Sequence, residues 1–208
     1  MHLVGSPIGT KNNTIFGTDG VRGQVGEIIT PLLALQLGFW SGQIFNKQGP
    51  VLIGQDSRES SGMITAALTA GLTATGHEVW NVGLCPTAAI QFLIKEEGAS
   101  GGLMVSASHN PPEDNGIKLF GSDGSKISNK EKQLIESKLY GESNEIEKIR
   151  NNYYGKSFQR YELLQKYQRD LFLSIGEPKL NNLSIVLDLC WGSATACGKE
   201  LFESLGAK

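Results

Sequence analysis

The sequence predicts an α/β protein: a three-layer α/β/α domain with a mixed, mainly parallel sheet, followed by the start of a second α/β domain. Two observations support this prediction. Between residues 51 and 105, short apolar runs alternate with helix-length segments rich in Ala, Leu and Thr, the order from which parallel sheets form. Hydrophobic residues make up 39% of the chain and charged residues 19%, which is enough apolar material for a core.

The segment from residue 30 to residue 105 supplies most of that sheet. A first helix is expected to begin at Pro31 with Thr30 as its N-cap, because these residue types favour those positions. Its apolar side chains lie on more than one side, so it should be largely buried. Beyond it the sequence predicts strands at 51–53, 79–82 and 103–105, and helices at 61–75 and from 85–87 through Ile94, which end before Gly76 and Gly98 respectively.

The next segment predicts a strand and two helices. Residues 117–120 are expected to form a strand that runs back, with a turn at 121–124 after it. Ser128 and Glu131 have the spacing of a capping box, which predicts a helix start. The polar stretch 141–156 indicates a surface connection, and 158–175 predicts a further helix that Pro178 stops.

The last part of the chain predicts one strand, 183–188, ending in Asp188, and one helix, 194–205. A lone strand and helix cannot bury their faces. We therefore expect the chain to be cut within a second domain or to borrow a neighbour. The expected organisation is a first domain at 1–155, which opens with a loose lead-in at 1–13, and then a linker helix with the start of a second domain at 156–208.

Charge and cysteine content exclude several classes of protein. The chain has 19 Lys plus Arg and 21 Asp plus Glu, a net charge of −2, whereas a general nucleic-acid binder needs a basic surplus. No apolar run approaches membrane-spanning length, and the N-terminus lacks a signal-peptide pattern. The three cysteines, Cys85, Cys190 and Cys197, have no metal-ligand spacing. We expect reduced thiols in a cytoplasmic protein with no nucleic-acid or membrane partner.

Polar loops follow three of the predicted strands, at 54–60, 83–87 and 106–115. In a parallel sheet the carboxyl ends of the strands lie at one edge, where ligands bind. We therefore expect the polar side chains of these loops to share that edge: Asp56, Ser57, Arg58, Thr87, Ser108, His109 and Asn110.

A glycine-spaced segment near the N-terminus carries three polar side chains, Thr18, Asp19 and Arg22, around Gly20. Closely spaced glycines let backbone N–H groups converge on an anion, and an arginine adds a planar set of donors. Taken alone, the segment favours a tight turn with a surface arginine.

Three interpretations of Ser108 and His109 stay open from the residues alone. The first is a capped turn, in which side chains bond nearby backbone groups. The second is a Ser–His hydrolase, which adjacent positions and the lack of a G-x-S-x-G elbow make a poor fit. The third is a serine that carries a phosphoryl group, with donors from Arg22, Arg58 and Lys118. His109 and Lys118 are then the candidate proton handlers.

The motifs that carry this third interpretation resemble those of a known family. SASHNPPEDNGIKLF at 106–120 closely resembles the catalytic serine loop of the α-D-phosphohexomutases. FGTDGVRG at 16–23 is similar to their N-terminal motif, and GQDSRES at 54–60 to their G-x-D-[ST]-R loop. The pattern is most similar to the branch that acts on hexosamine phosphates; the branch that acts on mannose and glucose phosphates is the alternative.

The resemblance implies an isomerase that works through a phosphoserine, a sugar 1,6-bisphosphate and Mg²⁺. Ser108 would be the phosphoserine and, through its phosphate, a metal ligand. Lys118 and His109 would be acid/base candidates, and Arg22 would stand near the phosphoryl group. The substrate or phosphate would also be bound or supported by a second set of residues: Thr18, Asp19, Gly20, Arg58 and Asn110. Asp188 would be structural, and a homodimer is compatible with the resemblance.

The chain departs from the family pattern in two ways. Gln55 stands where a basic residue is frequent, and Ala88 where a second proline is frequent. More importantly, the resemblance implies four domains, with a metal loop, a sugar-specificity loop and a distal phosphate site in later segments. We expect this chain to be inactive as a mutase by itself. A non-catalytic phosphate-binding module is the alternative from another functional class.

Overall fold

The computed structural model describes residues 14–46, 48–141, 153–176 and 178–208. The expected lead-in at 1–13 and most of the expected connection at 141–156 lie outside these residues. The strands are β1 (Val21–Gln24), β2 (Val51–Gln55), β3 (Val79–Leu84), β4 (Gly101–Val105), β5 (Asp114–Gly121) and β6 (Ser157–Gln159). The helices are α1 (Pro31–Ile44), α2 (Ser61–Ala74), α3 (Thr87–Glu96), α4 (Asn129–Leu139), α5 (Leu163–Ser174) and α6 (Gly198–Ser204).

The described strands form one mixed sheet in the order β1-β5-β4-β2-β3-β6. The pairs β4–β2, β2–β3 and β3–β6 are parallel, whereas β5 runs antiparallel to both β1 and β4. The predicted mixed, mainly parallel sheet is therefore confirmed, and so is the strand that runs back after β4.

Helices cover both faces of the sheet. Val51 and Ile53 of β2 pack in one apolar cluster with α1, α2 and α4, while Leu52 between them packs in a second cluster with α3 and the start of α5. Successive side chains of a strand point to opposite faces, so the two clusters are the two interfaces of a three-layer domain. The predicted α/β/α architecture follows from this alternation.

The two helix starts that are predicted from capping residues are confirmed. The Thr30 hydroxyl accepts a hydrogen bond at 3.1 Å from Leu33 N. Leu33 N is one of the backbone donors in the first turn of a helix that have no acceptor within the helix. Ser128 and Glu131 form the complete capping box, since Glu131 N donates to Ser128 Oγ at 3.3 Å and Ser128 N donates to the Glu131 carboxylate at 2.7 Å. These caps set where α1 and α4 begin.

The glycine-spaced segment is only in part the tight turn that the sequence favours: Gly17 N donates to Gly20 O at 2.8 Å across a turn, but the residues from Val21 on form the strand β1. Val21 pairs with Ile117 and Arg22 with Gly116 of β5. Gly20 has a φ of +93°, and a Cβ there would lie 2.2 Å from the Ile117 carbonyl oxygen. The strand forms because this close approach allows it to pair with β5, a tertiary effect that the sequence V-R-G-Q does not signal.

The predicted helix at 158–175 begins too early. Residues 157–159 are β6, which pairs in parallel with β3, and α5 begins only at Leu163. Its predicted end is confirmed to within one residue, since the helix ends at Ser174, shortly before Gly176 with a φ of +73°. Strand pairing with β3 outweighs the local preference for helix. β6 belongs to the first sheet, and the domain boundary at 155 stays a prediction.

The predicted strand at 183–188 is wrong as an assignment of regular structure. No described strand pairs with it, and Val186 is 98% exposed. Its backbone bonds are those of a loop: Ile185 N donates to Lys208 O at 2.8 Å, Lys208 N to Leu183 O at 3.0 Å, and Leu183 N to Leu180 O at 2.9 Å. The following helix is also interrupted, as a 3₁₀ turn (Ser193–Ala196) and then α6. A strand needs a partner, and the apolar pattern alone does not supply one.

Two further observations concern the classes of protein considered above. Among the helices that the structure describes, none is both long and apolar enough to cross a bilayer. The three cysteines are free, and burial raises the pKa of the Cys85 thiol to about 12. Cys85 is therefore a core side chain rather than a nucleophile.

The contact between α1 and α2 gives a first testable prediction. A Cβ on Gly71 would lie 2.1 Å from Leu35 O and 2.6 Å from Phe39 N, both backbone atoms of α1. We expect Gly71→Ala to destabilise the protein by at least about 1–3 kcal/mol, because the helices must move apart. The free energy of unfolding in urea measures the effect.

Gly62, in the same helix, is the matched control. A Cβ there meets nothing within 4 Å, so Gly62→Ala should be neutral or stabilising by up to about 1 kcal/mol, because alanine is the better helix former. Equal unfolding free energies for the two variants would contradict the close packing of α1 on α2.

Candidate active site

Two of the three polar loops leave the sheet side by side. Gln55 is in register with Val105, so β2 and β4 end at the same level. The next residue, Asp56, donates its backbone N–H to Val105 O at 2.9 Å. The loops at 56–60 and 106–113 therefore begin next to each other, as expected for parallel strands.

Arg58 holds the second of these loops by its backbone. Its Nη2 donates to Ser108 O at 3.1 Å and to Asn110 O at 2.7 Å. Its Nη1 donates to Asp114 O at 2.9 Å and to the Pro111 carbonyl. A guanidinium presents its donors in a fixed planar fork, so one side chain sets the path of the loop from residue 108 to residue 114.

Asp56 fixes the Arg58 side chain in turn. The Asp56 carboxylate accepts from Arg58 Nε at 3.2 Å and from Arg58 N at 3.1 Å, and the side chains are only 10% and 12% exposed respectively. The buried Ser61 hydroxyl also donates to Asp56 Oδ1 at 2.7 Å. This paired, hydrogen-bonded arrangement is the one in which a buried charge is tolerated.

Two asparagines complete the support of the loop. Asn110 Nδ2 donates to Asp114 Oδ2 at 2.9 Å and closes the turn, which fits its expected supporting role. Asn115, fully buried, donates to the hydroxyls of Ser60 and Ser61 at 2.9 and 3.0 Å. The start of β5 is thereby tied to the start of α2.

Ser108 lies exposed at the tip of this loop with a φ of +56°. That left-handed conformation is unfavourable for a residue with a side chain. Its backbone N–H donates to Ser106 Oγ at 3.0 Å, and its hydroxyl accepts from Lys118 Nζ at 3.2 Å. Of the two predicted proton handlers, Lys118 is thus the one whose side chain contacts Ser108.

Lys118 sits on β5, half-buried among charged groups. Burial is the main cause that lowers the pKa of its ammonium group, and the positive charges of Arg22 and Lys126 lower it further. The carboxylates of Asp19 and Asp56 oppose the shift. A lysine with a lowered pKa gives and takes a proton more readily near neutral pH.

The turn before β1 adds a carboxylate to this cationic group. Asp19 bonds Lys126 and also accepts from Arg22 Nη2 at 3.3 Å. The bond to Lys126 is the main cause that holds the pKa of Asp19 below its ordinary value. Three cations, Arg22, Lys118 and Lys126, therefore act on the Asp19 carboxylate, and Lys118 among them bonds Ser108.

Two predicted site residues make no such contacts. His109 and Thr18 are exposed, and neither side chain forms a hydrogen bond with the rest of the chain that the structure describes. The structure therefore places His109 next to Ser108 in the chain without joining the two side chains. This argues against a Ser–His hydrolase, in which the histidine bonds the serine.

Three residues of the site, Ser106, Asp56 and Lys126, are not among those that the sequence predicts for it. The sequence does place Asp56 at the correct edge of the sheet, and its spacing to Arg58 is the available signal. Ser106 lies two residues before Ser108 in an S-A-S pattern, which suggested nothing by itself. Lys126 follows the turn after β5, and only the fold brings it to Asp19.

A metal site is not formed by these residues alone. No group of three or more His, Cys, Asp or Glu side chains suited to a metal ion occurs within the described parts of the chain. The carboxylates of Asp19 and Asp56, which act on the charge of Lys118, are already bonded to cationic side chains. The residues present therefore do not fit a resident metal by themselves.

Comparison with known proteins finds a matching family and several similar sequences. Residues 13–145 match the family described as phosphoglucomutase/phosphomannomutase, alpha/beta/alpha domain I. The chain is 55% identical over 205 residues to a phosphoglucosamine mutase of Prochlorococcus marinus (strain MIT 9313), covering 98% of this chain and 44% of the relative. It is 57% identical over 192 residues to one from Synechococcus sp. (strain WH7803), covering 92% and 41%. The chain thus spans less than half the length of these relatives.

Solved structures show the same fold. A phosphoglucomutase/phosphomannomutase family protein from Burkholderia thailandensis superposes with a TM-score of 0.77 at 26% identity, over 94% of this chain and 43% of that one. A putative phosphomannomutase from Thermus thermophilus gives a TM-score of 0.66 at 26% identity, over 83% and 39%.

The charges around Lys118 give a second prediction. Replacing Arg22 by Met removes a positive neighbour, so the pKa of Lys118 should rise; Asp19→Asn removes a negative one, so it should fall. Lys132→Met is the control, since Lys132 is not among the groups that shift Lys118. NMR titration of the lysine side chains measures all three. Shifts of the same sign in the first two variants would contradict the arrangement.

Proposed function

We propose a phosphoryl-transfer function from one premise: the chain belongs to the phosphoglucomutase/phosphomannomutase family. We propose that it is the N-terminal part of a phosphoglucosamine mutase, which interconverts glucosamine 6-phosphate and glucosamine 1-phosphate through the 1,6-bisphosphate. The names of the relatives at 55–57% identity support the choice of hexosamine phosphates. We refer below to the longer protein that contains this chain as the full-length protein.

The observation that carries the proposal is the pairing of Ser108 with Lys118. An exposed hydroxyl accepts from a half-buried ammonium group at 3.2 Å, in a loop whose backbone Arg58 holds. A phosphoryl group on that oxygen would face Lys118 and have Arg22 close by. Phosphoryl transfer depends mainly on positioning and on charge stabilisation, and this arrangement supplies both.

The first transfer starts from phosphorylated Ser108. The bond between phosphorus and Ser108 Oγ breaks, and a bond from phosphorus to a hydroxyl oxygen of the sugar phosphate forms. The Lys118 ammonium gives a proton to Ser108 Oγ as it leaves. The proton of the sugar hydroxyl goes to the imidazole of His109, the other predicted proton handler, whose exposed ring is bonded to no described group.

The second transfer reverses these steps on the other phosphate. After the 1,6-bisphosphate has reoriented, Ser108 Oγ attacks its second phosphorus and loses its proton to the neutral Lys118 amine. The bond from that phosphorus to the sugar oxygen breaks, and the oxygen takes the proton held by His109. The enzyme returns to its starting state, and the sugar has exchanged its 6-phosphate for a 1-phosphate.

Further residues bind charge in both steps. Arg22 and Lys126 neutralise the phosphoryl oxygens, while Thr18 and the backbone of the turn at Gly20 are proposed to bind phosphate beside them. Asp19 limits the surplus of positive charge by bonding Arg22 and Lys126. Arg58 and Asn110 hold the loop rather than the substrate.

A divalent metal is part of the proposal, with Mg²⁺ as the ion. When bound, it would neutralise charge on the transferred phosphoryl group. This chain would offer it only a phosphate oxygen on Ser108, since the described residues form no metal cluster. The other ligands would come from segments of the full-length protein outside this chain.

Two narrower choices complete the proposal. A phosphomannomutase or phosphoglucomutase is the alternative within the family. It has the weaker support, because the putative phosphomannomutase is 26% identical to this chain, whereas the phosphoglucosamine mutase is 55% identical. The proposed substrates are a hexosamine or hexose phosphate and its 1,6-bisphosphate. The proposed location of the protein is the cytoplasm, and no nucleic-acid or membrane partner is proposed. A homodimer is compatible with the proposal but is not needed for it.

A third prediction tests the phosphoserine. Full-length protein incubated with glucosamine 1,6-bisphosphate should gain one phosphoryl group, which mass spectrometry of peptides should locate on Ser108. Ser108→Ala should gain none and should lose at least about 10³-fold in kcat, because the carrier oxygen is missing. Ser122→Ala, at an exposed serine in the turn after β5, is the control and should behave as the parent protein does.

The outcomes separate the alternatives. Faster turnover of mannose or glucose phosphates than of glucosamine phosphates would favour the other branch. A full-length protein that binds the bisphosphate without phosphorylation of Ser108 would be a phosphate-binding module, and the proposed enzyme would be ruled out.

A further inference from the structure

We propose that Ser106 is a positioning residue for phosphoryl transfer, which holds Ser108 in the conformation that presents its hydroxyl to Lys118. The inference rests on the proposed function and deepens it. Ser106 is buried and lies two positions before the residue that carries the reacting oxygen, so it would act through Ser108 and not on the substrate.

The need for such a residue comes from the backbone of Ser108. A φ of +56° places it in the left-handed region, which is unfavourable for a residue with a Cβ. Because Ser108 is exposed, packing of its own side chain does not hold it in this conformation. Other contacts must therefore stabilise this conformation.

Two side chains hold the two backbone groups of Ser108. Its N–H donates to Ser106 Oγ at 3.0 Å, and its carbonyl oxygen accepts from Arg58 Nη2 at 3.1 Å. Arg58 shares its donors among several carbonyls, so its loss would disturb the whole loop. The bond from Ser108 N to Ser106 is specific to the residue that carries the phosphoryl group.

Ser106 is itself fixed. It is 6% exposed and follows directly after β4, and its backbone N–H donates to Gly116 O of β5 at 2.8 Å. Its hydroxyl is thus attached to the sheet, while Ser108 lies beyond the sheet edge. A fixed acceptor two residues before Ser108 defines the orientation of the peptide N–H of Ser108, and through it the direction of Ser108 Oγ.

The consequence concerns the rate rather than the binding of the sugar. If Ser108 loses its acceptor, its N–H can bond water and the residue can relax to the ordinary region with negative φ. The distance from Oγ to Lys118 would then no longer be set at 3.2 Å. Misplacement of a reacting group by about 1 Å can cost on the order of 10²-fold in rate, whereas contacts to the rest of the substrate are unchanged.

The test compares Ser106→Ala with Ser106→Thr in the full-length protein. Alanine removes the acceptor, and threonine keeps it. We expect kcat to fall about 10- to 100-fold in the alanine variant, with KM for the sugar phosphate within about threefold of the parent value, and the threonine variant to recover most of kcat. Ser100→Ala is the matched control.

Ser100 lies directly before β4, as Ser106 lies directly after it, and is also buried. Its hydroxyl donates to Gly49 O at 3.2 Å and Pro50 O at 3.1 Å, at the end of the strand away from Ser108. Ser100→Ala should therefore lose about as much stability as Ser106→Ala loses from the removal of a buried serine hydroxyl. Its kcat should stay unchanged. A fall in kcat equal to that of Ser106→Ala would overturn the proposal.

A second measurement does not depend on turnover. The one-bond Cα–Hα coupling of Ser108, measured by NMR, distinguishes positive from negative φ; it should change in the alanine variant and stay in the threonine variant. Unchanged coupling and unchanged kcat in Ser106→Ala would overturn the inference. Phosphate located on Ser106 would also overturn it. If the parent protein gains no phosphate on Ser108, the proposed function itself fails, and this outcome is distinct from the others.

Discussion

The fork of hydrogen bonds from Arg58 determines the shape of the site. Its guanidinium bonds the carbonyl oxygens of Ser108, Asn110 and Asp114, and Asp56 holds the guanidinium in place. The loop between β4 and β5 has few apolar side chains, so these hydrogen bonds, rather than apolar packing, hold its conformation. A lysine has no planar fork and could not bond several carbonyls with the same geometry. The position of Ser108 thus depends on a residue from the neighbouring loop after β2.

The second constraint is electrostatic. In the charged cluster around Lys118, the cations Arg22, Lys118 and Lys126 outnumber the carboxylate of Asp19 by two charges, while Asp56 is paired with Arg58; the whole chain, by contrast, has a net charge of −2. A phosphoserine carries about −1.5 to −2 charges at pH 7, so this local surplus matches its charge. Asp19 bonds two of the cations, which keeps them in place when no phosphate is present.

The sequence was sufficient where local pattern and fold agree. The alternation of apolar runs and helical segments predicted β2, α2, β3, α3 and β4, and with them the edge that carries Ser108. It failed for β1 and β6, which are strands only because β5 and β3 offer them partners, and for 183–188, which has the pattern of a strand and no described partner. Ser106 and Lys126 were missed because only the folded chain brings them to the site.

The central claim is that this edge of the sheet receives a phosphate on Ser108. The most direct measurement is a ³¹P NMR titration of the phosphorylated full-length protein against pH. The second pKa of the phosphate should lie below the value of about 6 found for free phosphoserine, because Arg22 and Lys118 favour the dianion. A pKa at or above that value would show that the cations do not surround the phosphate and would contradict the account.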